Sequence, residues 1–191
     1  MLWWATRSTA LVALALLGLT LALGVAAGSG TPRARAVVQH VHRTASMLAV
    51  LLVGAHIATV VADPHIDLGL VDVVVPFGTS WHVVETGLGT TAFDLLIAVA
   101  LTSALRTRLP GPAWRGVHVL AYACWPVAAV HALGTGTDRS AVTVVVLATA
   151  AVITPAVAWR LARGSSNRTR LCALLSLVAL GALAGAVGLT P

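Results

Sequence analysis

Trp114-Arg-Gly-Val-His-Val-Leu-Ala-Tyr-Ala-Cys-Trp-Pro-Val-Ala-Ala-Val-His131 is an apolar, helix-length stretch that carries two histidines, His118 and His131, thirteen residues apart. Thirteen residues of α-helix rise about 20 Å, most of the way across a hydrocarbon layer of about 30 Å. An earlier apolar stretch repeats the device, with His42 and His56 fourteen residues apart, a rise of about 21 Å. Ionisable side chains within apolar helices are costly to place, and their first reading is functional. The competing reading for any one of them is a polar group hydrogen-bonded to a neighbouring helix. Four at matched spacing on two helices form a frame.

The composition says what kind of solvent that frame sits in. The chain has 191 residues, one domain's worth, of which 58% are hydrophobic and only 9% charged, with a mean hydropathy of +0.93. Too few polar residues are present to cover a water-soluble globule. The expected class is an all-α membrane protein, because the apolar runs are continuous rather than alternating as in a β-barrel. The formal charge of +6 comes from twelve arginines and no lysine. These arginines punctuate apolar runs, so they speak for membrane orientation and not for nucleic acid. Cys124 and Cys172 both fall inside apolar runs, as small buried residues and not as a disulfide framework.

A single domain over 1–191 is expected, with helices at about 8–27, 37–62, 84–105, 113–133, 140–158 and 171–189. The first run follows Arg7 and competes with a signal peptide, but its twenty uncharged residues exceed the usual apolar core of such a peptide. Gly28–Pro32 is read as the turn that ends it. The longest connection, about 63–83, holds Asp63, His65, Asp67, Asp72, Trp81 and His82, with an apolar Leu68–Val75 patch suited to the membrane interface. Six helices make alternate loops share a side. The loops after the first, third and fifth helices, with their flanks, hold ten of the twelve arginines; the other side holds Arg7, Arg139 and five of the six acids. Basic short loops stay in the cytoplasm, so both termini are expected outside it, in a multi-pass protein of the inner or plasma membrane. Trp81, Trp114 and Trp159 fall at helix ends, where an aromatic belt would place them.

The second and fourth helices run in the same direction, so His42 and His118 share the cytoplasmic level while His56 and His131 share the outer one. One imidazole from each helix at each level is what a bis-histidine haem requires. Zinc would want three or four ligands together. Rotation agrees only in part: His56 returns to within about 40° of the face of His42, whereas His131 ends about 140° from His118. Pro126 lies between those two and can kink or rewind the helix.

His42-Arg43…His56 followed by Trp114-Arg-x-x-His118…Tyr122…Trp125-Pro126…His131 resembles the ferric reductase-like transmembrane domain family. That family includes the membrane parts of ferric reductases and NADPH oxidases and the haem-b subunit of the periplasmic methionine sulfoxide reductase system. Pro76-Phe77, Gly89-Thr-Thr-Ala-Phe-Asp94…Thr102-Ser-Ala-Leu-Arg106 and His131-Ala-Leu-Gly-Thr-Gly-Thr-Asp138 also read like its small bacterial members. The resemblance covers the second to fourth helices, and the other three by hydropathy alone. It implies one haem b between His42 and His118 and a second between His56 and His131, one or two being bound in such proteins. Arg43 and Arg115 suit propionates of the cytoplasmic-side haem, and positive-inside anchoring explains them equally. Gly54 and Gly116 suit close approach of a porphyrin face. His40 is read as interfacial, His65 and His82 as solvated loop residues with an electron-exit role as the alternative, and Asp94 as paired with a helix neighbour.

With both axial positions filled, iron has no open site, and the expected function is outer-sphere transfer of single electrons across the membrane. No G-x-G-x-x-G follows a strand and no loop could house flavin or nicotinamide. The donor is then a separate flavoprotein reductase or a membrane quinol, and the acceptor is extracytoplasmic, so the chain is an oxidoreductase component surrounded by membrane lipid. Two other classes remain open: a transporter or proton channel using the histidines and Asp94, and a non-catalytic membrane subunit.

Overall fold

A computed structural model describes residues 1–27 and 30–162. Among them the chain is all helical: α1 Leu2–Ala26, α2 Pro32–Val61, α3 Val83–Ala104, α4 Gly111–His118, α5 Ala121–Thr135 and α6 Arg139–Ala162. Five segments are long and apolar enough to cross a membrane, with α4 and α5 together forming one of them, Gly111–Thr135. The expected sixth helix, 171–189, lies outside the described residues, as do Cys172 and three of the arginines.

The helix starts follow from local chemistry. Thr31 and Pro32 do not close a turn after the first helix; they open α2. The Thr31 hydroxyl oxygen accepts from the Ala34 N–H at 3.3 Å, and Pro32 occupies the first helical position, where its missing N–H costs nothing. The first helix begins six residues earlier than expected, which brings Arg7 inside it. That charge is tolerated because its guanidinium lies 4.2 Å over the Trp3 ring and pairs with Asp138.

The predicted helix 113–133 is two helices. Between them the ladder tightens: Leu120 N–H donates to Val117 O (2.9 Å), Tyr122 N–H to Val119 O (3.1 Å) and Ala123 N–H to Leu120 O (2.9 Å). Such three-residue bonds wind the chain by about 120° per residue instead of about 100°. About four residues of tighter winding cut the rotational shortfall of His131 from about 140° to about 60°. Pro126 sits further along and is not the site of the rewinding. Having no N–H, it cannot donate to the carbonyl four residues before it, which leaves the first turn of α5 free to tighten.

The core lies where α1, α5 and α6 meet. Trp125 and Ile153 are its largest buried side chains, packed among Leu14, Leu21, Val146 and Val157. Gly18 brings α1 against α6 there, since a Cβ would stand 2.7 Å from Thr149 Cβ. Helix α3 packs on α5, and α2 packs along α1 but touches α3 only weakly. Of the thirty residues of α2 only Ala45 and Ala49 are buried, so its far side is apolar and bare, as a lipid-facing helix is. The connection from 62 to 82 is tied down where Thr90 Oγ1 donates to Asp72 O at 2.8 Å. Phe77, at a φ of 64°, lays its ring on Gly87, where any Cβ would collide with it.

Asp138 starts α6. Its Oδ1 accepts from the Ala141 N–H (3.1 Å) and the Ser140 hydroxyl (2.7 Å), while Oδ2 pairs with Arg7. The Ala141 N–H above all, then the Ser140 hydroxyl and the Arg7 charge, hold this carboxyl below its ordinary range. A depressed folded-state pKa stabilises the fold fully above the unfolded value of 3.8, and that stabilisation is lost as pH falls through the folded pKa. Hydrogen exchange in the first turn of α6 is therefore expected to stay slow down to about pH 4 and to accelerate below it. In Asp138→Asn, which keeps a capping oxygen but cannot titrate, that pH step is expected to vanish.

Candidate functional site

Each histidine pair comes together. The rings of His42 and His118 have centroids 6.3 Å apart at an interplanar angle of 72°, and those of His56 and His131 lie 6.5 Å apart at 75°. An imidazole nitrogen bonds a transition metal at about 2 Å, as it does zinc. Two such bonds in line, plus the distance from each nitrogen to its ring centre, span about 6 Å. The observed separations suit one metal ion between each pair, and neither pair is close enough for a direct hydrogen bond between rings of that orientation.

The second nitrogen of each ring fixes which one faces the gap. His42 Nδ1 donates to the Thr20 carbonyl (2.9 Å), His56 Nδ1 to the Thr6 carbonyl (3.2 Å) and His131 Nδ1 to the Glu85 carbonyl (2.7 Å). A carbonyl can only accept, so these three Nδ1 atoms carry the proton and the Nε2 lone pair is left for a ligand. A hydrogen bond from the far ring nitrogen to a carbonyl is what orients a metal-binding histidine and raises its basicity. His118 differs: its Nδ1 lies 3.3 Å from Ser103 Oγ, a hydroxyl that accepts or donates, and Trp114 stacks on the ring at 5.1 Å. The four tethers obey one rule. Both α2 histidines are held by α1, and both histidines of the α4–α5 span are held by α3.

One glycine and a cavity complete the surroundings of the His56–His131 pair. A Cβ on Gly89 would stand 2.6 Å from both Cε1 and Nδ1 of His131, so α3 reaches that ring only as glycine. A largely apolar cavity of about 530 Å³ adjoins this pair and is lined by His56 and His131 together with Trp81, Phe93, Arg7 and Asp138. At the His42–His118 pair a Cβ on Gly24 would meet His42 Cε1 at 3.3 Å. Gly54 and Gly116, expected to admit a flat ligand, have open space where their Cβ atoms would be.

The remaining sequence candidates fall outside the pairs. Arg43 and Arg115 are exposed and make no ion pair among the described residues. The Arg115 guanidinium instead lies beside Gly111, 3.3 Å from where a Cβ would stand. His40 is exposed. His82 is exposed too and rests its ring on Trp81 at 4.6 Å. His65 is solvated at the cavity mouth, bonded through Nδ1 to Asp63 Oδ1 at 2.9 Å. The backbone N–H of His65, then its ring, hold the Asp63 carboxyl below its usual range. Asp94, expected to pair with a helix neighbour, is half-buried and has no hydrogen-bond or ion partner among the described residues.

What the sequence did not reveal is the set of tethers. Three of the four are backbone carbonyls, which leave no residue signature. The stacking of Trp114 on His118 was legible, since residues four apart share a helix face, and Gly89 was visible as a glycine within an apolar helix. Among the described residues no group of three or more His, Cys, Asp or Glu side chains converges as a bare metal site. Compared with known proteins, the chain matches no protein-family model, no curated protein and no solved structure.

Proposed function

We propose that this chain is a six-span membrane protein, both termini outside the cytoplasm, that moves single electrons across the inner or plasma membrane through haem b. The His42–His118 and His56–His131 pairs would hold one haem each. The observation that carries this reading is the double pairing of imidazoles at two levels, with Nδ1 of three of the four rings bound to a backbone carbonyl. Haem b held by two imidazoles supplies a one-electron couple with no coordination position left for substrate. The chain's own part is to orient Nε2 through the Nδ1 tethers, to keep water away with the apolar lining, and to set the spacing of the two levels. Thirteen and fourteen residues of helix separate those levels, a rise of about 20 Å that makes the pairs successive stations along the membrane normal.

On this reading the chain belongs with the ferric reductase-like transmembrane domain proteins as an oxidoreductase component without a flavin or nicotinamide site. A cytoplasmic-side flavoprotein or a quinol delivers the electron, and an extracytoplasmic acceptor takes it. Exposed Arg43 and Arg115 beside the inner pair suit propionates or the anionic membrane surface. Purified protein is expected to show a Soret band that shifts on dithionite reduction, with two haems per chain. His56→Ala and His118→Ala are each expected to lose one. A colourless protein, or one whose haem content ignores both substitutions, would refute the proposal. One observation favours a proton-relay transporter instead, the unpartnered Asp94 within α3. That reading requires pH-dependent flux in liposomes that Asp94→Asn abolishes, without any chromophore.

A further inference from the structure

Arg7 is a charge that the paired histidines do not account for. It is one of two arginines on the acid-rich side of the chain, yet it sits within α1, one residue after Thr6, whose carbonyl holds the His56 ring. Among the described residues it is the only arginine lining the cavity beside His56 and His131. The other charged or titratable groups on that lining are Asp63, His65, Asp72 and Asp138. A guanidinium there needs a partner that the acids around it supply only in part. The pair with Asp138 uses Nη2 alone, leaving the other donors of a five-donor fork. Asp138 for its part is already committed through Oδ1 to the start of α6.

We infer that Arg7 binds a propionate carboxylate of the porphyrin seated between His56 and His131, and that Asp138 competes for the same guanidinium. The inference rests on the haem reading above. A planar fork matches a carboxylate in two parallel bonds, which a lysine ammonium cannot do. The apolar cavity offers the porphyrin body no other fixed cation among the described residues. With Asp138 in place, a propionate arriving at Arg7 meets a carboxylate already there, so removing that negative charge strengthens binding. Asn at 138 is the suitable probe because it is as good a helix cap as Asp.

The test uses the full chain, freed of haem and titrated with haem b or with its dimethyl ester, which lacks the carboxylate charges. His56→Ala identifies the outer signal, and haem at His42–His118 reports in every variant that the fold is intact. The outer site of the natural protein is expected to prefer haem b over the ester by about tenfold, the strength of a charge-assisted hydrogen bond. Arg7→Gln is expected to abolish that preference and weaken outer haem b about tenfold, with Arg7→Lys recovering part of it, and Asp138→Asn to tighten it severalfold. If two haems bind but acid and ester bind the outer site equally, or Asp138→Asn does not tighten it, Arg7 has no such role while the haem reading stands. If the natural protein binds no haem, both fall together. Should Arg7→Gln lose both haems, the ester comparison in the natural protein and the Asp138→Asn titration still decide.

Discussion

Gly89→Ala is expected, on the proposed two-haem reading, to halve the haem content of the protein, removing the haem at His56–His131 (the outer one of that reading) and sparing the one at His42–His118. The added Cβ would lie 2.6 Å from two atoms of the His131 ring, closer than real side chains approach. The ring cannot swing aside cheaply, because its Nδ1 is bonded to the Glu85 carbonyl at 2.7 Å on the same helix as Gly89. Either α3 and α5 separate or the ring gives up its tether, and both misdirect Nε2. The measurement is haem per chain with the optical spectrum of the reduced protein. One remaining low-spin haem, insensitive to a further His131→Ala but lost with His42→Ala, is the expected pattern. Two haems in Gly89→Ala would mean that the outer ligand geometry is not the one described.

Trp125→Ala should produce the largest loss of stability among single substitutions in the described core. The side chain is 1% exposed and fills the space where α1, α5 and α6 converge, so its removal leaves a cavity that those helices cannot close. Comparable aromatic truncations cost about 3–5 kcal/mol. Denaturant titration in detergent, followed by circular dichroism, reads the loss. Trp125→Phe should be much milder. The buried indole N–H of Trp125 has no acceptor among the described residues, so losing it forfeits no hydrogen bond. If alanine and phenylalanine at this position cost the same, the packing assigned to the ring is wrong.

Helix spacing carried far in this chain, and it failed where winding is not uniform. The His42 to His56 interval of fourteen residues nearly completes four turns, and α2 is one unbroken helix, so both rings face the same way without adjustment. The interval from His118 to His131 does not, and an ideal helix there misdirects one ring. The tightened turn between Val117 and Ala123 supplies much of the missing rotation, yet nothing in Val-His-Val-Leu-Ala-Tyr-Ala distinguishes it from a plain helix. Pro126 drew attention to the right span but the wrong residues. Arg7 was read as a flank because charge normally marks where an apolar helix begins. Its partner Asp138 lies 131 residues away, a separation that no local pattern reports. The Thr31-Pro32 start of α2 was legible in principle, since threonine before proline is a helix-opening pair as well as a turn pair.

The tethering rule has a further mechanical meaning. Since α1 steers the rings of α2, and α3 steers those of α4 and α5, each histidine pair spans two separate hairpins. A metal held in the gap would rivet one hairpin to the other, adding a link between α2 and its partner span where packing of α2 on α3 is thin. Protein loaded at both pairs would then melt at a higher temperature than the stripped chain, and amide protection on the face of α2 turned from α1 would rise on loading.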